Sequence, residues 1–224
     1  MKLEEYLGKW YQIMDISELN TILKKLIGMN QSLLCPELKN IFRAFRLCKY
    51  EDLKVVILGQ DPYPQKGIAT GVLFGNDAST PEELISPSLK VIKEAVIQLE
   101  SNYGRPLRFD STLESWAKQG ILLINSALTT ELGKVGAHSL LWRPFMSKLL
   151  YEISSANRGI TYVLFGNQAQ SFKSYINKGN VVLEEKHPAA YAREGIRMPS
   201  TVFNNMQQSV KDNFGIELKL YEEI

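Results

Sequence analysis

Cysteine is nearly absent from this chain, with only Cys35 and Cys48 among 224 residues. Two thiolates cannot hold a four-cysteine iron–sulfur cluster, and neither has zinc-type spacing to a histidine. They read as small buried hydrophobes of a reducing compartment. The sequence has no cluster of metal-ligand spacing and no phosphate-cradling P-loop, so neither metal nor organic cofactor is expected. Long apolar runs are missing as well: none reaches the roughly 18–20 residues needed to span a bilayer. The opening Met1-Lys2-Leu3-Glu4-Glu5 is acidic within a few positions and lacks an apolar signal core. A cytoplasmic monomer without membrane association is the expectation. Charge of one sign is scarce too, the formal net charge being +2. This neither indicates nor excludes a nucleic-acid partner, because a local cluster of donors and helix N-termini suffices to hold phosphate.

The remainder is an ordinary globular mixture, 45% hydrophobic and 22% charged, without repeats, low-complexity tracts or linkers. The length allows one well-buried core, and residues 1–224 are read as a single domain. Apolar runs over Lys54–Leu58, Ile121–Ile124, Thr161–Phe165 and Asn180–Glu184 are rich in Val, Ile or Leu and too short for full helices. Between them lie helical patterns. Leu89, Ile92, Val96 and Leu99 come after Ser86-Pro87, a helix start. Ser111-Thr112-Leu113-Glu114 has the form of a capping box opening a helix through Trp116. Leu141–Ile153 is periodic, and further helices are predicted after Gly166-Asn167 and after Pro199-Ser200. The first forty-odd residues read as mostly helical, with Trp10, Ile13, Leu19, Leu23 and Leu26 as core. Strands alternating with helices predict an α/β fold: a central four-stranded parallel sheet flanked by helices on both faces.

Such sheets bind ligands beyond the carboxyl ends of their strands. The segments there are Gly59–Pro64, Asn125–Thr129, Gly166–Gln170 and Lys186–Tyr191, which carry the most distinctive polar residues of the chain. Each has a plain structural explanation on its own. Gly59-Gln60-Asp61-Pro62-Tyr63-Pro64 makes a turn, Asn125 caps a strand, Gly166-Asn167 feeds a helix, and His187 is a structural histidine. Their joint placement at four strand ends is the stronger signal.

The motifs resemble those of the family 1 uracil-DNA glycosylases. Ile41-Phe42-Arg43-Ala44-Phe45-Arg46-Leu47 and then Val55-Val56-Ile57-Leu58-Gly59-Gln60-Asp61-Pro62-Tyr63 are similar to that family's entry into its water-activating motif. Trp116-Ala117-Lys118-Gln119-Gly120 through Asn125 is similar to its uracil-reading strand, and His187-Pro188 to the start of its leucine loop. The resemblance runs from about residue 35 to about residue 210, in family order. His187-Pro188-Ala189-Ala190 is similar to the poxvirus members. Related mismatch glycosylases carry asparagine at the position of Asp61, and the iron–sulfur families need cysteines absent here.

The resemblance implies hydrolysis of the N-glycosidic bond of deoxyuridine in DNA, with release of uracil. Asp61 is then the carboxylate that stabilises the sugar cation and orients water, and His187 donates to the departing uracil anion. Phe74 stacks on the base, Asn125 reads the uracil edge, Tyr63 bars the thymine methyl, and Gln60 binds the base through its backbone. Phosphate contacts are implied at Pro87, Ser88, Gly166, Asn167 and Ala189, and Tyr191 stands at the wedge position. Arg193 and Arg197 add charge nearby or are solvated surface. Three positions depart from the family pattern. Pro64 replaces a second histidine, Asn167 replaces a serine, and Ala189-Ala190-Tyr191 replaces Ser-Pro-Leu. The expected partner is uracil-containing DNA, single- or double-stranded, with a protein inhibitor as a further partner. Two other readings stay open: a non-catalytic DNA-binding or replication-partner module, and a glycosylase for another base.

Overall fold

Val55-Val56-Ile57-Leu58 offers no polar face, a pattern that requires cover on both sides. The computed structural model, which describes residues 2–100 and 107–223, supplies it. Its elements are α1 (Leu3–Leu7), α2 (Trp10–Ile13), α3 (Ile16–Ile27), β1 (Leu34–Cys35), α4 (Arg43–Leu47), β2 (Val55–Gly59), α5 (Pro87–Glu100) and β3 (Leu107–Arg108). Next come α6 (Glu114–Lys118), β4 (Ile121–Asn125), β5 (Thr130–Glu131), α7 (Ser139–Ala156), β6 (Thr161–Phe165), α8 (Gly166–Gln170), β7 (Val181–Glu185), α9 (Pro188–Glu194), α10 (Thr201–Phe214) and β8 (Glu222–Glu223).

The sheet has the order β4-β2-β6-β7, and every pair is parallel. All residues of β2, β4 and β6 are buried, whereas β7, at one edge, is half-buried. At the other edge β4 is protected by the loop before α5, where the Leu73 N–H donates to the Leu123 carbonyl at 3.1 Å. Helices α4 and α6 pack against β4, and α10 against β6 and β7. The predicted single α/β domain with its four-stranded parallel sheet is therefore the observed one. Strand ends differ from expectation by one residue where the ladder continues past the apolar run, as in Gly59↔Asn125 and Phe165↔Glu185. The N-terminal helices close one flank: Trp10 is fully buried, stacks edge-on against Phe45 and Tyr50, and donates to the Cys48 carbonyl at 2.7 Å. Leu19 and Leu26 are buried as well, while Ile13 and Leu23 only line the edge of the core.

Two features differ from the sequence-based expectation. Helix α6 is not opened by a Ser111/Glu114 box. Leu113 takes the N-cap position with φ +57°, and Asp110 does the capping, accepting from the Thr112 N–H at 2.9 Å and the Ser115 N–H at 2.8 Å. The ribbons β1–β5 and β3–β8 leave no trace in the sequence, because strands of two residues show no period. Among the described residues no helix is long and apolar enough to cross a membrane.

Candidate active site

Parallel register aligns the carboxyl ends of all four strands, so the loops leaving them converge at one edge of the sheet. Hydrogen bonds tie the first two together. The Ser126 N–H donates to the Gly59 carbonyl, and the Ala127 N–H to the Gln60 carbonyl, both at 3.0 Å. The other two meet at Gly166, which has φ +79°. A Cβ there would lie 2.9 Å from the His187 Cβ, so only glycine permits this approach.

The loops enclose a cavity of about 290 Å³ lined by Gln60, Asp61, Tyr63, Phe74, Asn125 and His187, among others. These are the six residues predicted to handle the base or the bond. Pro64, Ser88, Ala189 and Arg193 also reach it. Pro87 lies at an adjoining groove shared with Ser88 and Ala189. Gly166 backs the cavity through His187, and Asn167 is exposed at the first turn of α8.

Asp61 is half-buried. The Gly136 N–H donates to its Oδ2 at 2.6 Å, while Oδ1 is buried without a hydrogen-bond partner. Burial raises its pKa above the ordinary carboxylate value. Gly136 opposes that, then more weakly Gln60, His138 and Ser139. A carboxylate so placed is poised to accept a proton or face a cation.

His187 accepts the Ala189 N–H at Nδ1, at 3.1 Å, which leaves its proton on Nε2. Burial, with the nearby Arg193 charge, lowers its pKa to about 4. The imidazole is thus neutral at physiological pH and acts as a donor through Nε2. Asn125 is buried, and its Oδ1 has no partner. An unsatisfied buried amide oxygen is costly unless a ligand N–H fills it.

Phe74 is buried with φ +62°, a left-handed conformation that costs a bulky residue roughly 1–2 kcal/mol. This backbone sets its ring edge-on to His187 and Phe165, with centroids 5.5 and 5.7 Å away. Strain of this kind collects where a side chain is held for a purpose. The Tyr63 hydroxyl lies 2.5 Å from Ser86 Oγ and also reaches the Phe74 carbonyl at 3.5 Å. Burial pushes the phenol up to about 12, so it stays protonated and fixed.

Two rim expectations are corrected. Tyr191 does not project outward as a wedge. It is 8% exposed, packs among residues of α5, and donates its hydroxyl to Glu185 Oε1 at 2.7 Å. The Ala189 N–H, offered as a phosphate donor, is taken up by His187. Sequence reasoning missed the loop behind Asp61, namely Gly136, His138 and Ser139, and also Val135, which is 68% exposed and lines the cavity mouth. The one available signal was His138, the other of the two histidines.

Known proteins resemble this chain in sequence and in fold. The family model of the uracil DNA glycosylase superfamily matches residues 45–211. The uracil-DNA glycosylase of Campylobacter jejuni is 36% identical over 174 residues, covering 76% of this chain and 72% of that one. That of Mycoplasmopsis pulmonis is 39% identical over 159 residues, covering 70% and 69%. The crystal structure of mimivirus uracil-DNA glycosylase shares the fold, with a TM-score of 0.72 at 20% identity, covering 97% of this chain and 90% of that one. A single-residue variant of mimivirus UNG in complex with UGI gives a TM-score of 0.71 at 26% identity, covering 84% and 73%. The chain belongs to the uracil-DNA glycosylase superfamily.

Proposed function

We infer that the protein is a DNA repair glycosylase that hydrolyses the N-glycosidic bond of deoxyuridine in DNA, releasing uracil and leaving an abasic site. The observation that carries this is one cavity holding a carboxylate, a neutral histidine donor and an amide whose buried oxygen lacks a partner. Cleavage builds positive charge on the sugar and negative charge on the base. The Asp61 carboxylate faces the first and orients the attacking water. The His187 Nε2–H donates to uracil O2 as negative charge grows there. A neutral donor suits this step, because it stabilises the anion without surrendering its proton at neutral pH.

Specificity comes from the remaining walls. Asn125 Oδ1 accepts uracil N3–H and its amide N–H donates to O4, a pattern that cytosine inverts. Phe74 stacks on the base. Tyr63, pinned by Ser86, stands where the thymine methyl would go. A soft wall separates one methyl by only about 1–3 kcal/mol, and a rigid ring separates it better. Gln60 binds the base through its backbone. The cavity admits a base only out of its stack, so the target is flipped at a cost of a few kcal/mol. Phosphate contacts at Ser88 and at the start of α8 offset that cost. The order of the motifs along the chain supports membership of family 1. The UGI complex of its mimivirus neighbour supports a protein inhibitor as a further partner.

The test is incubation with a single-stranded oligonucleotide carrying uracil, beside thymine and cytosine controls, without added metal. Release of uracil alone, leaving an abasic site, is expected. No release at any enzyme concentration overturns the reading, and faster release of a damaged base reassigns the substrate.

A further inference from the structure

The turn between β5 and α7 wraps Asp61 from behind the cavity. Gly136 donates to the carboxylate, and the Ser139 side chain also favours its charged form. Between them sits His138, 4% exposed. Its Nδ1 lies 2.9 Å from Thr129 Oγ1, and the Trp142 Nε1–H donates to that same oxygen at 2.7 Å. An indole N–H only donates. All three groups are satisfied when the threonine hydroxyl accepts from Trp142 and donates to Nδ1. His138 then carries its proton on Nε2. That atom is buried without a partner, as is Asp61 Oδ1. Both are costly to leave so, and each calls for a physical explanation.

The charged groups around the imidazole are Asp61, Glu131 and Lys134, with Glu131 Oε1 3.8 Å from Nε2. Burial lowers the pKa of His138, so it faces these carboxylates as a neutral N–H dipole. The polar groups on this side of Asp61 thus lie on one short turn, and His138 anchors that turn to buried Thr129 and Trp142.

We propose that His138 is a positioning residue for the hydrolytic step: it presses the Gly136–Ser139 turn against Asp61 and sets its N–H dipole near the carboxylate, beyond direct hydrogen-bond distance, keeping it ionised and aimed into the cavity. The proposal rests on the assignment of Asp61 as the group that orients water. Burial drives this carboxylate toward its neutral acid, which can neither take a proton from water nor face a cation. Each donor aimed at it opposes that drift. Removing one raises the pH at which Asp61 becomes ionised, and the acidic limb of kcat moves upward with it.

The experiment is kcat and KM on the uracil oligonucleotide as a function of pH, with thermal melts to establish folding. His138→Ala is expected to move the acidic limb up by about one pH unit, lowering kcat on the limb about tenfold, with KM unchanged. His138→Gln, which keeps an N–H near the Nε2 position, is expected to return the limb toward the parent. A limb that stays in place in folded His138→Ala overturns the proposal, and so does a limb displaced equally in both variants. Should the alanine variant fail to fold, His138→Leu, similar in size but without a donor, takes its place against His138→Gln. Asp61→Asn, measured alongside, separates the two assignments. Full activity there removes the role of Asp61 and the proposal with it, whereas its inactivity with an unmoved His138→Ala limb removes only the role of His138.

Discussion

The floor of the cavity and its rim are built to different standards. On the floor, Asp61, Tyr63, Phe74, Asn125 and His187 are each held by a named contact: a backbone N–H, a serine hydroxyl, a neighbouring ring or a strand ladder. At the rim, Pro64, Asn167 and Ala189 offer phosphate fewer hydroxyl or imidazole donors than the family pattern has, and Tyr191 is folded inward. Chemistry needs placement to a fraction of an ångström, and only packed elements give that. Phosphate binding adds many weak, screened contacts, so single donors there are exchangeable.

The contrast predicts that floor substitutions act on kcat and rim substitutions on KM. Asp61→Asn should have the largest effect, lowering the cleavage rate by about 10²–10⁴-fold. An unchanged single-turnover rate would take Asp61 out of the mechanism. Tyr63→Ala should admit thymine, cutting discrimination by about 10–200-fold, as measured by thymine release from a normal strand. Absence of any thymine release would break the methyl-barrier role.

His187 gives the floor a pH signature. Its pKa in the fold, about 4, lies below the ordinary 6.5. Between those values the unfolded chain binds more protons than the folded one, so this contribution is complete above 6.5 and is lost as pH falls toward 4. The loss should reach about 3 kcal/mol in denaturant titrations, and His187→Asn should flatten it. Asp61, with its pKa shifted upward, contributes with the opposite sign, so the variant is needed to isolate the histidine.

At the rim the effects shrink. Tyr191→Phe removes the hydrogen bond to Glu185 and should cost about 1 kcal/mol of stability while leaving kcat on single strands intact. A large drop in activity on duplex DNA alone would restore a direct role in filling the gap. Asn167→Ser should be smallest, lowering KM by at most about fivefold, the worth of one hydrogen bond of about 1 kcal/mol. A change in kcat there would erase the distinction between floor and rim.

The floor was legible in the sequence because a parallel sheet leaves little choice: the residues leaving each strand all arrive at one edge. Gln60, Asp61, Asn125 and His187 could be placed from strand ends alone. Phe74 could not, since its role depends on a left-handed backbone that no neighbouring residue announces. The turn behind Asp61 was invisible for another reason. Gly136 meets Asp61 across 75 positions of chain, and a lone histidine in a Gly- and Ala-containing stretch has no periodicity to reveal it. Tyr191 was misread through helix phase. Helix α9 begins at Pro188, and residues 188 and 191 share its buried face. A motif position fixes how far along the chain a residue sits, not which way the helix turns it.

The contact at Gly166 sets a limit on how far the rim can drift. Its hydrogen faces the Cβ of His187 with no room for a methyl group. Any side chain there collides with His187, the residue proposed to donate to the leaving base. Surface positions beside it are free to trade one polar group for another as lineages diverge. This one is not, because at Gly166 the loops that follow β6 and β7 share a single wall.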